Sequence, residues 1–181
     1  MNIFHVSYDP VIAAQSLVDK HVVKMILESA QLLSTAHRVM DGSKSVVVEN
    51  NRKKNVYSLR DSRDDVIYKA THINHPSAIW VRQSVLNYQW LVDHFYALID
   101  EYAFRYEKKH KCLGILSYTL SSPPLNVKEF EMTPFACAMD DIYKVSTDPV
   151  ENYRNYYRNG KKHLHSWTKR MPPEWIGELN G

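Results

Sequence analysis

From Asp9 to Arg38, apolar and polar positions sort onto opposite sides of a helix. At about 100° per residue, Val18, Val22, Val23, Ile26, Ala30 and Leu33 share one side. His21, Lys24, Glu28, Gln31 and Thr35 form a polar stripe on the other. Asp9 is a good N-cap and Pro10 a good first helical residue. No Gly or Pro follows until Gly42, so the pattern predicts one helix of about eight turns. An imidazole, an amine, a carboxylate and an amide then share one line on a rigid rod. Facing a cleft, that line is an active-site face; facing water, it is the polar side of an ordinary amphipathic helix.

The rest of the chain reads as further helices with one polar interruption. Residues 2–8 alternate loosely and suit a short strand or an extended arm. Residues 41–65 are polar and read as a loop excursion, with a short strand at Val46 to Val48. A second long helix is expected after Asn74-His75-Pro76, running to about His110, because Ile79, Trp80, Leu91, Phe95, Leu98, Tyr102 and Tyr106 recur at helical spacing. Residues 113–120 suit a short helix stopped by Ser121-Ser122-Pro123-Pro124. Thr133-Pro134 opens another, to about Tyr143. Asp148-Pro149-Val150 repeats the start at Asp9 and leads into a basic, aromatic C-terminal helix over 149–170, bent at Gly160. The expected fold is mainly α: a compact single domain over 1–181, with two long antiparallel helices and a C-terminal helix packed across them.

Composition agrees. The 181 residues are 44% hydrophobic and include only five glycines, which favours helices over a turn-rich β fold. No charged n-region leads into an apolar run and no run of about 18 apolar residues exists, so neither a signal peptide nor a membrane span is expected. Cys112 and Cys137 are the only cysteines. Two thiols fit a reducing compartment, and both read as core or near-core residues. The expected location is cytoplasmic, in the host for a phage-encoded chain.

The net charge of +3 is mild, but it is unevenly placed. The segment from Tyr153 to Arg170 holds six Lys or Arg and no acid, which leaves the remainder at −3. Tyr153, Arg154, Tyr157, Arg158, Lys161 and Lys162 interleave cations that neutralise phosphates with rings that stack on bases. An alternative is a helix whose tyrosines pack on the core while its cations face water.

His21, Lys24 and Glu28 are neighbours at helical spacing. A carboxylate beside an imidazole does acid–base work or stabilises a developing cation, and a desolvated lysine is an amine nucleophile. A solvated Lys–Glu pair fits the same spacing. Asp19 sits nearer the apolar side, where it orients His37 or meets a loop. Thr71-His72-Ile73-Asn74-His75-Pro76 places two imidazoles and an amide just before a helix start, which suits an anion such as phosphate. No metal motif such as His-Glu-x-x-His is present, and no cofactor is expected.

Asp19-Lys20-His21, with Glu28 seven residues after the histidine, resembles the first helix of the pyrimidine-dimer DNA glycosylase family. Asn74-His75-Pro76-Ser77-Ala78-Ile79-Trp80 is similar to the His-Pro segment of its cellular members, and Glu101-Tyr102-Ala103-Phe104-Arg105-Tyr106 to the end of their central helix. The chain also resembles small tailed-phage proteins of unassigned activity. The glycosylase resemblance implies a compact helical fold that binds DNA, flips a nucleotide and cuts a glycosidic bond. It makes Glu28 the catalytic carboxylate and His21 a site histidine, with Lys24 as a candidate amine. Gln31, His72, Asn74 and His75 would line the pocket, and the basic C-terminal residues would hold duplex or single-stranded DNA. Family members use the amine of residue 2, often Thr, after removal of Met; here residue 2 is Asn. The arginines flanking the family's glutamate are Leu27 and Gln31 here. Rival expectations are a non-catalytic nucleic-acid-binding protein, a nucleotide-metabolism enzyme and an inhibitor of a host protein.

Overall fold

Capping chemistry starts the helices, and long-range contacts break them. The structure is a computed structural model that describes residues 1–49 and 51–177. Asp9 Oδ1 accepts from the N–H groups of Val11 and Ile12 and opens α1, Pro10–Ser16. A separate helix, α2, spans Asp19–Asp41. The single eight-turn helix expected from the pattern is therefore two. Leu17 and Val18 between them are extended and fully buried. Asp19 holds the break: its N–H donates to the Ser166 carbonyl, and its carboxylate accepts from Arg105, the Ser166 hydroxyl and the Thr168 N–H. It makes no contact with His37, which bonds Tyr88 and Arg63 instead.

The second long helix divides in the same way. α2 leads into the antiparallel hairpin of β1, Ser43–Glu49, and β2, Arg52–Ser58, followed by α3, Arg63–Val66. The polar excursion is thus mostly a ribbon, with strands longer than the one expected. Next come α4, Pro76–Val81, and α5, Val85–Tyr106, where one helix to His110 was expected. Ser84 ends the first by capping the second, accepting from the Asn87 N–H at 3.1 Å. α5 runs antiparallel to α2: Asp19 meets Arg105 at one end and His37 meets Tyr88 at the other. Val22, Met25, Ile26, Leu33, Leu91, Phe95 and Leu98 belong to the core and are almost wholly buried, each stabilising by about 1.5–3 kcal/mol.

The short helix α6, Ile115–Thr119, lies where the pattern placed it. The helix expected from Thr133 does not form; a single 3₁₀ turn, Asp141–Tyr143, stands near its end. Asn87 takes both Thr133 groups that would start it: the Thr133 N–H donates to Asn87 Oδ1 at 3.0 Å, and Asn87 Nδ2 donates to Thr133 Oγ1 at 2.6 Å. Phe135 then stacks on His5 with 4.0 Å between ring centres. The last helix, α7, covers Pro149–Gly160, so the expected 149–170 helix ends early; a 3₁₀ turn, Lys162–Leu164, follows. A Cβ at Gly160 would sit 2.6 Å from the Tyr156 ring, so only glycine allows this close ending. Among the described residues no helix is long and apolar enough to cross a membrane.

A strap formed by residues 59–75 returns from the hairpin along α2. Arg38, fully buried, donates to the carbonyls of Tyr57, Asp64, Ile67 and Tyr68. Ser34 Oγ accepts from the Tyr68 N–H, and Thr35 Oγ1 accepts from the Thr71 N–H at 3.1 Å. These bonds lay the His72–His75 turn over the polar stripe.

Candidate active site at Glu28

The polar stripe of α2 is largely covered, with Lys24 the member left open to water. The amino-terminal arm covers its first half and the strap its second. Between them lies Glu28, whose side chain is 12% exposed. Its Oε2 accepts from the Asn2 N–H at 3.0 Å and lies 3.8 Å from the Met1 amino group. Its Oε1 lies 3.1 Å from Lys24 Nζ, one turn earlier. One half-buried carboxylate therefore meets two primary amines and a backbone N–H.

The arm is held firmly against this carboxylate. Asn2 Nδ2 donates to the Ala138 carbonyl at 2.8 Å, and Asn2 Oδ1 accepts from the Tyr153 hydroxyl at 2.8 Å. Phe4 stacks on His21 with 4.3 Å between ring centres and has a left-handed backbone, φ 61°. His72, in the strap, has φ 47°. Such conformations cost about 1–2 kcal/mol in non-glycine residues. They occur here on both segments that close over Glu28, the kind of place where strain is retained for function.

His75 caps α4 by accepting from the Ser77 N–H through Nδ1. Its pKa is lowered, first by burial, then by the positive amino terminus and His72, while Glu28 opposes the shift. The imidazole thus feels the same amine–carboxylate pair. His72 is exposed, with Nδ1 2.7 Å from Thr71 Oγ1; Asn74 is exposed and Gln31 half-buried.

His21 stands apart from this group. Its ring is buried under Phe4, and Nδ1 bonds the Tyr157 hydroxyl. Burial lowers its pKa to about 3, with smaller contributions from Lys161, Lys24 and His163, so it is neutral at pH 7. Tyr153 and Tyr157 are fully buried; their rings are not open to stacking on a base, and burial pushes both phenols up. Arg154 donates to the Val6 carbonyl and pairs with Glu151, and Arg158 donates to the Trp175 carbonyl. Lys161 lies over the Tyr156 ring, and Lys162 is exposed. The charges of Lys161 and His163 act on His21 together with that of Lys24, so the exposed part of the basic tail flanks the same end of α2.

Periodicity found Glu28 and Lys24 but had no means of finding the arm. Nothing in the spacing of residues 1–8 says where they fold back; only the family resemblance, with its amine at residue 2, pointed there. A hollow of about 560 Å³ lies elsewhere, lined by Pro10, Asp93, Asp100, Phe104 and others and by none of the Glu28 group. At Glu28 two amines, a backbone N–H and a carboxylate converge, whereas the hollow is lined by Asp93, Asp100 and the Glu101–Arg170 ion pair, with no primary amine among its lining residues.

A family model described as pyrimidine dimer DNA glycosylase matches residues 1–113. No curated protein and no solved structure matches the chain. The matched span contains the arm, α2, the strap and α5, and with them every group that surrounds Glu28 except those of the C-terminal segment.

Proposed function

The chain belongs to the pyrimidine dimer DNA glycosylase family, and from that premise we propose that it cleaves the N-glycosidic bond of a base in duplex DNA at Glu28. The family carries a glycosylase-like function with DNA as its partner. The observation that supports the finer reading is the grip of Glu28 on the amino-terminal backbone, 3.0 Å to the Asn2 nitrogen and 3.8 Å to the Met1 amine.

As the base departs, positive charge develops over C1′ and the ring oxygen of the sugar. A fixed carboxylate in a water-poor site stabilises that charge. The neighbouring amine attacks C1′, the C1′–base bond breaks, and the base leaves with the bonding pair and takes up a proton from water. Glu28 receives the proton that the attacking nitrogen gives up and returns it to the ring oxygen as the C1′–O4′ bond opens, which leaves the protonated imine that borohydride reduces. The amino-terminal nitrogens are better placed for this than Lys24. Asn2 is pinned by its side chain, whereas the Lys24 side chain is 65% exposed. The nitrogen of Asn2 becomes the amine when Met1 is removed, and it already faces Oε2. In this reading Lys24 balances the charge of Glu28, and His21 positions the arm through Phe4. Gln31, His72, Asn74 and His75 line the approach. Lys161 and Lys162 meet phosphates, while Arg154 and Arg158, with buried Tyr153 and Tyr157, hold the scaffold.

The test is incubation with duplexes bearing normal and damaged pyrimidines, read by alkali cleavage and by borohydride trapping. Glu28→Gln is expected to lose turnover by about 10²–10³-fold with an unchanged circular dichroism spectrum. A short amino-terminal extension is expected to abolish the trapped adduct, and Lys24→Ala to retain it. Full turnover in Glu28→Gln would remove the mechanism; an adduct that survives the extension and vanishes in Lys24→Ala would move the nucleophile to Lys24.

A further inference from the structure

The hairpin takes no part in the core or in the Glu28 group. Every residue of β1 is exposed, and so are Arg52 to Asn55 of β2. Val46, Val47 and Val48 are 59%, 40% and 69% exposed. A two-stranded ribbon with no buried face is marginal by itself, and its open edges invite unwanted pairing. Among the described residues its hydrogen bonds to the body lie at its root, where Gly42 donates to the Arg38 carbonyl and Arg38 donates to the Tyr57 carbonyl.

Its composition fits a polyanion. Lys44, Arg52, Lys53 and Lys54 stand against one acid, Glu49, and among the described residues its one ion pair is Lys54–Glu49 at 3.5 Å. The register pairs Lys44 with Tyr57, Val46 with Asn55 and Val48 with Lys53. Directly opposed pairs two apart share a face, so one face carries a cation at each end with two valines and an amide between. Cations suit phosphates, a carboxamide reads the adenine edge, and apolar groups meet the thymine methyl. Paired strands about 5 Å apart fit a major groove about 12 Å wide.

Its placement fits the same duplex. The root lies at the far end of α2 from Glu28, about 20 Å away at 1.5 Å per residue. That distance is about six base pairs at about 3.4 Å per step. The strap runs between the two, and Lys69 on it lines a recess of about 190 Å³ together with Lys54 and Tyr57.

We propose that the β1–β2 hairpin is a second DNA-contacting element, which enters the major groove about half a helical turn to one side of the nucleotide held at Glu28. This rests on the reading of Glu28 as a DNA site. The experiment measures duplex binding in the Glu28→Gln background, where no strand is consumed, with and without Lys44→Ala, Arg52→Ala, Lys53→Ala and Lys54→Ala together. All four side chains are exposed, and circular dichroism checks that the fold persists. The combined variant is expected to lower the slope of log affinity against log salt by about 3–4, at about 0.9 for each phosphate that no longer meets a cation. Trimming one flank of the duplex below about six base pairs is expected to weaken the parent and leave the variant unchanged. Single-stranded oligonucleotides should bind both equally. An unchanged salt slope and flank response would overturn the proposal while leaving Glu28-dependent turnover intact. Hairpin-dependent self-association without a change in slope would also overturn it. A hairpin-dependent slope without cleavage of any duplex would support the groove contact and remove the glycosidic reading instead.

Discussion

Replacing Arg38 with methionine tests whether the strap over the polar stripe of α2 depends on one buried cation. Arg38 is 0% exposed and donates to Tyr68 at 2.6 Å, Asp64 at 2.8 Å, and Tyr57 and Ile67 at 3.0 Å, all through carbonyls. It also pairs with the Asp64 carboxylate. Methionine fills part of the volume and satisfies none of these acceptors. The carboxylate is the least affected, because the Leu59 N–H still donates to it at 2.8 Å and its side chain is 27% exposed. Its pKa, held at about 2 first by Leu59 and then by Arg38, rises but stays below the usual range. The four carbonyls decide the magnitude. Breaking a buried, hydrogen-bonded charge of this kind costs about 3–5 kcal/mol, a large part of a total stability of about 5–15 kcal/mol. For a chain of this length that is a fall in Tm of about 6–20 °C. Urea unfolding gives the loss as a shift of midpoint at unchanged slope. Amide exchange should show new opening over residues 59–75 at lower cost than global unfolding. A loss under about 1 kcal/mol would refute the argument, because water would then have replaced the guanidinium at every carbonyl.

Two further outcomes follow from the buried charges and imidazoles. Burial lowers His21 and His94 to about 3 and His37, also beside Arg63, to about 4. The unfolded chain, with imidazoles near 6.5, then binds more protons, so stability is full above about pH 6.5 and falls as pH drops toward 4, by about 1.4 kcal/mol per pH unit for each histidine. Among the described residues neither ring nitrogen of His94 has a partner, and the ring stacks on Trp90; His94→Phe should therefore reduce the loss between pH 7 and 5 by about 2 kcal/mol, and parallel urea midpoints for the two proteins would contradict this. Asp19→Ala should cost about 2–4 kcal/mol and free the tail. Burial raises the Asp19 pKa, but hydrogen bonds from Ser166, Thr168 and Arg105 outweigh it and leave the group lowered. Unchanged thermal stability and unchanged proteolysis after Trp167 would show that the tail is held elsewhere.

Helical periodicity made α2 and α5 legible, because their apolar residues repeat every three or four positions and that repeat is a local property. Capping residues made the starts legible for the same reason: Asp9, Asp148 and the His75-Pro76 step act on N–H groups within a few residues. The breaks were not legible. Asp19 ends a helical pattern because Ser166, Thr168 and Arg105 claim it, from up to 149 residues away. Thr133 fails to open a helix because Asn87, 46 residues earlier, takes its N–H and hydroxyl.

The mainly helical class and the polar stripe of α2, with Glu28 and Lys24 as neighbours on it, are legible from the chain alone, since each depends on near residues. What the stripe faces is set by tertiary contacts. They brought the nitrogens of residues 1 and 2 against Glu28, turned His21, Tyr153 and Tyr157 into core, and left the hairpin valines in water. Those outcomes depend on which distant segments compete for the same donors, acceptors and apolar surface, and no local pattern records that competition.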